Sequence, residues 1–410
     1  MSPSVYAIAT MDTKGRELLY TAERLRSAGV SVVTVDVGTR NEPDIGADVS
    51  RQTVASFQPE DEANSILDRE ERGAAISSLS RALTRFLVAE HKAGKVAGVV
   101  GLGGSGGTAL ITPAMRALPV GLPKLMVSTV ASGDTSPYVG CTDICMMYSV
   151  VDVAGLNTVL RTVLANAAHA MAGMVKDAVA IDVERPALGL TMFGLTTPCV
   201  TEAREELEPL GYDCLVFHAT GTGGRAMEQL VASGLIQGLL DVTTTEVADF
   251  LVGGVFPCTT DRFEAQIAAR IPCVMSLGAL DMVNFGARAT VPEKYRDRLF
   301  HQHNEQVTLM RTTVDENRRF GRWIGEKLNR WRSPISLLIP ERGLSGLDAP
   351  GKPFHDPEAD AALFNELEAT VHQTADRTVR RFPLHINDPQ FACQLVRAYL
   401  ERAALGRNPK

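Results

Sequence analysis

Gly98-Val99-Val100-Gly101-Leu102-Gly103-Gly104-Ser105-Gly106-Gly107-Thr108 is the stretch on which the fold turns. The apolar run Val96 to Val100 reads as a buried strand of a parallel sheet, since such strands are covered on both faces and near-continuously apolar. It runs into glycines flanking Ser105, and Thr108 is expected to open a helix. Glycine lets a ligand approach the backbone closely. A helix N-terminus adds unpaired N–H groups and the positive end of a dipole, which suits a phosphate. Gly101, Gly103 and Gly106 match G-x-G-x-x-G, but the dinucleotide fingerprint also needs an acid about 20 residues on. Here the next strand, Lys124 to Val127, ends in Ser128-Thr129, so a hydride-transfer cofactor is disfavoured. No Gly-Lys-Ser/Thr follows, so the loop is not a Walker A motif. The alternative is a tight strand-to-helix turn without a ligand.

Upstream, Val5 to Ala9 reads as a strand, Glu17 to Ala28 as a helix and Val30 to Val37 as a second strand, which makes one βαβ unit. Ligands of such sheets sit beyond the carboxyl ends of the strands. Asp12, Thr13, Lys14 and Gly15 lie at one such end, as do Gly103, Gly104, Ser105, Gly106, Gly107 and Thr108. Both loops are expected to face one crevice, with Lys14 neutralising phosphate and Asp12 holding a metal ion or a ribose hydroxyl. The competing reading is that Asp12 or Thr13 caps the following helix. Ser132, Gly133, Asp134 and Thr135 follow the Lys124 strand and offer hydroxyls and a carboxylate to the same pocket, or form a plain surface loop. Arg40 to Gln58 reads as irregular, Glu60 to Lys92 as mostly helical, and Gly155 to Lys176 as a long helix.

The chain has 410 residues and suits two domains, 1–183 and 184–410, with the boundary in the charged, Pro-containing stretch Val179 to Pro186. Hydrophobic residues at 45% suffice for packed cores, and a net charge of −7 leaves no basic footprint for nucleic acid. Seven scattered cysteines include no C-x-x-C, the pattern of reduced thiols in a cytoplasmic protein. No signal peptide or bilayer-length apolar run is visible. The expectation is a cytoplasmic α/β protein that engages neither membrane nor nucleic acid.

The second half repeats the alternation. Strands are expected at Leu188 to Phe193, Cys214 to Phe217, Leu235 to Leu240, Cys273 to Leu277, Ser336 to Ile339 and Phe382 to Ile386, mostly separated by helices, which implies a parallel sheet. Polar residues gather at the strand ends: His218, the turn Thr220 to Gly224, Asp241, Asp281, Asn284 and Asp388. The Thr220 to Gly224 turn is a second candidate anion cradle, and Thr243-x-x-Glu246 fits a capping box. Val291 to Thr313 reads as less regular; its His301-x-His303 would ligate a metal on an extended strand, or be simply solvated. Pro340 to Pro357 is a long Pro/Gly-rich loop with Ser345, Asp348, His355 and Asp356, a length that suggests a lid. Spacing alone gives no catalytic constellation.

Several words in one order resemble the Tm-one-like ATP-binding domain family, which is named for a plant protein that resists tomato mosaic virus. They are Thr10 to Gly15, Gly101 to Thr108, Ser132 to Thr135 with Tyr138-Val139-Gly140, Ser149 to Asn157, His218 to Gly224, Leu309 to Thr313 and Pro383 to Pro389. The resemblance spans essentially the whole chain and departs at Glu305, where the family has Pro after His-Asn. It implies two Rossmann-like α/β/α domains without the C-terminal barrel of plant members, ATP in the first domain, and a homodimer. Asp12 to Gly15, Gly103 to Thr108 and Ser132 to Thr135 would then hold ATP, with Mg²⁺ bridging the phosphates. Three functions follow as expectations. The first is an ATP-dependent enzyme, with phosphoryl transfer as its chemistry, acting on a small acidic or sugar-derived metabolite in an inter-domain cleft. Its candidate catalytic residues are Lys14, His218, Asp241, Arg311 and Asp388. The second is a nucleotide-gated regulatory or binding protein with little turnover. The third is an enzyme that takes a phosphorylated substrate in place of ATP.

Overall fold

The computed structural model describes residues 3–40, 42–58, 72–177 and 185–406. The chain divides into two compact units, 1–181 and 182–410. The boundary expected at Val179 to Pro186 falls largely outside the described residues, as does the first part of the helical stretch expected from Glu60 to Lys92.

In the first unit, strands β1 (Ser4–Ala9), β2 (Val32–Asp36), β3 (Val96–Gly103), β4 (Lys124–Ser128) and β5 (Cys145–Tyr148) form one sheet in the order β2-β1-β3-β4-β5. Every pairing is parallel. Side chains alternate across a strand, and β1 divides accordingly. Tyr6 and Ile8 enter a core layer with Leu79, Leu83, Leu110 and Ile111. Val5, Ala7 and Ala9 enter the opposite layer with Leu18, Leu25, Leu160 and Leu164. Helices Arg72–Lys92 and Ser105–Arg116 therefore cover one face, and Met11–Ser27 and Thr158–Lys176 the other. This is a doubly wound α/β/α unit. Its order reverses between β1 and β3, where such sheets leave a crevice for ligands.

The second unit carries a six-stranded parallel sheet of β6 (Ala187–Met192), β7 (Asp213–His218), β8 (Gly238–Thr243), β9 (Cys273–Gly278), β13 (Ile335–Pro340) and β14 (Arg377–Phe382). Its order is β14-β13-β9-β8-β6-β7. The first five strands of this sheet in sequence repeat the order of the first unit. Helices Thr197–Leu207 and Pro389–Gly406 pack on one face, and Thr222–Ala232, Thr245–Val252, Val314–Asn329 and Pro357–Thr370 on the other. A separate antiparallel sheet joins β10 (Met282–Phe285), β11 (Phe300–Asn304) and β12 (Val307–Arg311) in the order β10-β12-β11.

Several expected elements shift. The first helix starts at Met11 rather than Glu17, with Lys14 at non-helical angles of φ −132° and ψ 21°. The central helix starts at Ser105, with Gly104 as its N-cap, rather than at Thr108. Asn157 caps the helix expected from Gly155, its side chain accepting from the Leu160 N–H at 2.9 Å. The last strand is Arg377–Phe382, not Phe382 to Ile386; it is a charged edge strand, and its arginines bond outward to neighbouring helices and loops. The stretch read as irregular between Val291 and Thr313 contributes two strands.

Candidate functional site

Asp36, at the end of β2, sets the geometry of the first loop. Its Oδ1 accepts from the Met11 N–H at 2.9 Å and the Gly38 N–H at 2.8 Å, so it anchors the start of helix Met11–Ser27. Burial pushes this carboxyl up, and the two N–H donors oppose the shift. Asp12 follows on the helix's first turn, and its Oδ2 accepts from the Arg40 N–H at 3.1 Å. Neither Asp12 nor Thr13 caps the helix: the N-cap is Thr10, without a side-chain cap bond. Lys14 Nζ donates to the Val153 carbonyl at 2.6 Å.

The sheet order places this loop beside the glycine loop. Thr10, Asp12, Thr13 and Lys14, with Thr39 and Arg40 after β2, face Gly104, Ser105, Gly106 and Gly107 across a cavity of about 240 Å³. Gly15 lies apart from it, lining with Asp12 and Thr13 an adjoining cavity of about 480 Å³ that also meets Glu17, Glu42 and Asp44. The glycines divide by role. A Cβ on Gly103 would fall 2.9 Å from the Gly107 Cα, so Gly103 is required for strand and helix to approach. A Cβ on Gly104 would meet nothing nearer than Thr129 Oγ1 at 3.6 Å, and one on Gly107 nothing nearer than the Leu102 carbonyl at 3.5 Å. Packing does not demand glycine at 104 or 107, and both border the cavity.

Thr108 is fully buried, its hydroxyl shared between the Gly104 carbonyl at 2.8 Å and Ser128 Oγ at 2.6 Å, so it braces the loop from behind. The 132–135 loop lies outside the cavity wall. Ser132, Gly133 and Asp134 are exposed, and Asp134 Oδ1 accepts from the Ser136 N–H at 2.9 Å and its hydroxyl at 2.6 Å. Thr135 is the N-cap position of the short helix Ser136–Val139.

In the second unit the candidate catalytic residues separate. Asp241 is fully buried and bound by Arg262 Nη2 at 3.0 and 2.7 Å and by the Thr191 hydroxyl at 2.7 Å. Arg262 is 1% exposed and also reaches Glu246 Oε2 and Glu228 Oε1, each at 3.2 Å. Glu246 does not close a capping box with Thr243. Its Oε1 accepts from the Gly221 N–H at 2.7 Å and the Gly224 N–H at 3.1 Å. The second anion cradle therefore exists, and the protein's own carboxylate fills it. Thr243 Oγ1 lies 2.7 Å from Thr196 Oγ1, bonding the end of β8 to the turn after β6.

Arg311 is 4% exposed and ties down the long loop, donating to the Phe354 carbonyl at 2.7 Å, the Asp356 carbonyl at 3.2 Å and Asp360 Oδ1 at 2.8 Å. Ser345, Asp348 and Phe354 are fully buried, and Ser345 Oγ donates to Asp281 Oδ2 at 2.7 Å. The 340–357 loop is thus pinned to the core at residues 343–348 and at Phe354, with 350–353 exposed between them, rather than free to act as a lid. Burial and the neighbouring Asp348 carboxylate push the Asp281 and Asp360 carboxyls up, against the pull of Arg311. Asp388 Oδ1 accepts from the Gln390 N–H at 2.9 Å, at the start of helix Pro389–Gly406. His218 is exposed and lies edge-on to Phe193, with ring centroids 5.4 Å apart. His301 and His303 do not act as a pair: His303 is the extra residue of a bulge in β11, and His301 packs on Phe354. Among the described residues, no group of three or more His, Cys, Asp or Glu side chains is placed to hold a metal ion.

The profiles of the two domains described as "Uncharacterised protein family (UPF0261)" match residues 3–180, N-terminal domain, and 185–403, C-terminal domain. The chain belongs to the UPF0261 family. A UPF0261 protein of Rhizobium meliloti is 55% identical over 97% of this chain and 99% of its own length. One from Clostridium tetani is 44% identical over 97% of this chain and 98% of its own. The tomato (Solanum lycopersicum) ToMV resistance protein Tm-1(GCR237) is 47% identical over 99% of this chain and 57% of its own length. Among the described residues, no helix is long and apolar enough to cross a membrane.

The switch-point cavity adds Thr39, Arg40, Ile76 and Leu110 to the residues the sequence singled out. The polarity of Arg40 to Gln58 marks this segment only as irregular. The signal that finds Thr39 and Arg40 is the strand order, which sets the end of β2 beside the end of β1.

Proposed function

We propose that the first unit binds ATP, with its phosphates at the N-terminus of helix Ser105–Arg116 and Mg²⁺ beside Asp12. The observation that carries this reading is the convergence of the 10–14 and 104–107 loops on one cavity at the β1/β3 switch point, where packing leaves Gly104 and Gly107 free of side chains. The first N–H groups of a helix have no carbonyl partner within it, and the dipole there favours an anion. Lys14 and Arg40 add positive charge. Mg²⁺ is commonly held by one or two carboxylates together with substrate phosphates, so a single Asp12 suits it. Bound ATP supplies a transferable phosphoryl group, and positioning with charge stabilisation is most of what such a transfer needs from a protein. An acidic or sugar-derived acceptor and a nucleotide-gated binding role are both compatible with this site. So is a phosphorylated small molecule in place of ATP, because the same N–H groups and cations would serve it. The homodimer expected from the family resemblance remains part of the proposal.

The test is thermal unfolding with ATP, ADP, NAD and sugar phosphates, each with and without Mg²⁺, read for each unit separately. A ligand at ~100 times its Kd adds about 2.7 kcal/mol of apparent stability to the unit that binds it. A shift of the first unit by ATP with Mg²⁺ supports the proposal. A shift only by sugar phosphates selects the phosphorylated-substrate reading, and no shift by any of them rejects the site.

A further inference from the structure

The second unit contains a cavity of different chemistry. It opens at the carboxyl ends of β6 and β7, where Phe193, Gly194 and Leu195 meet His218 and Thr220, and it is walled by Phe256 and by His303, Asn304, Val307 and Leu309 of the β11–β12 hairpin. Its volume is about 220 Å³. An apolar cavity of roughly 150 Å³ accommodates benzene, so this one has room for a substituted ring. Phe193 and Leu309 are buried at its base, while His218, His303 and Asn304 are exposed at its mouth. The bulge at His303 interrupts the alternation of β11 and adds a second imidazole to a pocket that already holds His218. A Cβ on Gly194 would meet no heavy atom within 4 Å, so the glycine keeps open space that packing does not require.

We propose that this cavity binds a small planar aromatic carboxylate, ring inward and carboxylate at the two histidines. Pockets for small molecules are mostly apolar with a few converging polar groups, which is the composition here. The phenyl rings of Phe193 and Phe256 offer faces and edges to a planar ring. Imidazole N–H groups, the Thr220 hydroxyl and the Asn304 amide are donors for a carboxylate. Among the described residues no Lys, Arg, Asp or Glu lines the cavity, and the N–H groups of Gly221 and Gly224 in the adjoining turn are taken by Glu246, so it is unsuited to a nucleotide triphosphate or a free amine. The proposal is independent of the ATP site, which belongs to the other unit.

The test is isothermal titration of the full chain with benzoate, benzyl alcohol, cyclohexanecarboxylate and acetate. Variants Gly194→Leu, His218→Gln and His303→Gln are compared, with thermal unfolding confirming that each is folded. Saturable benzoate binding is expected, about tenfold tighter than benzyl alcohol and tighter than cyclohexanecarboxylate, with acetate not binding. Gly194→Leu should abolish it, and each His→Gln change should weaken benzoate about tenfold while leaving benzyl alcohol unchanged. Absence of saturable benzoate binding overturns the proposal. So does equal affinity for benzoate and benzyl alcohol, or benzoate binding that survives Gly194→Leu in a folded variant.

Discussion

Replacing Arg262 by Met leaves three carboxylates facing one another without a cation. Among the described residues, Arg262 is the only guanidinium paired with Asp241 and Glu246, both fully buried, and it also pairs with Glu228, whose side chain is 11% exposed. Breaking a buried ion pair from one side costs about 3–5 kcal/mol, because the stranded charge stays desolvated. Each carboxylate keeps another donor: Thr191 for Asp241, the Gly221 and Gly224 N–H groups for Glu246, and the Phe263 N–H for Glu228. The loss should therefore fall towards the lower end of that range. A domain of this size loses about 2–4 °C per kcal/mol, so at about 3 kcal/mol the second unit should melt about 6–12 °C lower by differential scanning calorimetry. Burial already pushes the Glu246 carboxyl up and Arg262 pulls it back, so without Arg262 the native state binds more protons than the unfolded chain and the deficit grows with rising pH. The deficit at pH 5 should be smaller than at pH 8. A deficit under about 1 kcal/mol, or one that does not change with pH, would refute this account of the network.

Three further outcomes follow from the same geometry. Burial pushes the Asp249 carboxyl up to about 7, above the ~3.9 of an unfolded chain. Asp281 and Asp360 shift in the same direction. The native second unit then holds protons that the unfolded chain releases, and its stability should fall between pH 5 and pH 8; calorimetry showing a rise would contradict this. Gly103→Ala should lower the stability of the first unit in urea by about 1–3 kcal/mol through overpacking, whereas Gly104→Ala should stay within about 0.5 kcal/mol. Equal losses at the two positions would remove the distinction between a packing glycine and a site glycine. Lys14→Met should weaken ATP binding about tenfold, measured by titration, while its lost bond to the Val153 carbonyl costs only about 1 kcal/mol of stability; unchanged affinity would take Lys14 out of the site.

The parallel strands were legible because Val5 to Ala9, Val96 to Val100 and Cys273 to Leu277 are short apolar runs ending in polar turns. The glycine loop was legible for the same reason. The strand Arg377–Phe382 was not, because an edge strand can carry arginines on both faces, and its bonding partners Glu368 and Asn329 are distant in sequence. The β11 strand Phe300–Asn304 is polar because it lies at the rim of a small sheet, so no period-2 apolar pattern marks it. Asp241 and Arg311 are charges near strand ends, which is where ligands of such sheets bind. Their partners, Arg262 and Asp360, lie 21 and 49 residues away, and nothing local reveals that those charges are already paired. The same holds for Glu246, whose place in the Gly221–Gly224 turn depends on the tertiary fold. The converse also holds for Thr39 and Arg40, which join the first cavity only through strand order.

The most direct test of the ATP site is calorimetric titration of the full chain with ATP and Mg²⁺, beside Gly104→Val. The Gly104 backbone lies at φ −82° and ψ −162°, extended and open to a β-branched residue, and its Cβ clashes with nothing. The variant should therefore fold as the wild type does while placing its methyls in the phosphate cradle. Saturable binding by the wild type, weakened at least tenfold in a Gly104→Val protein of unchanged stability, is the predicted result. Equal binding by both proteins, or none by the wild type, would contradict the claim that the β1/β3 switch point is a nucleotide site.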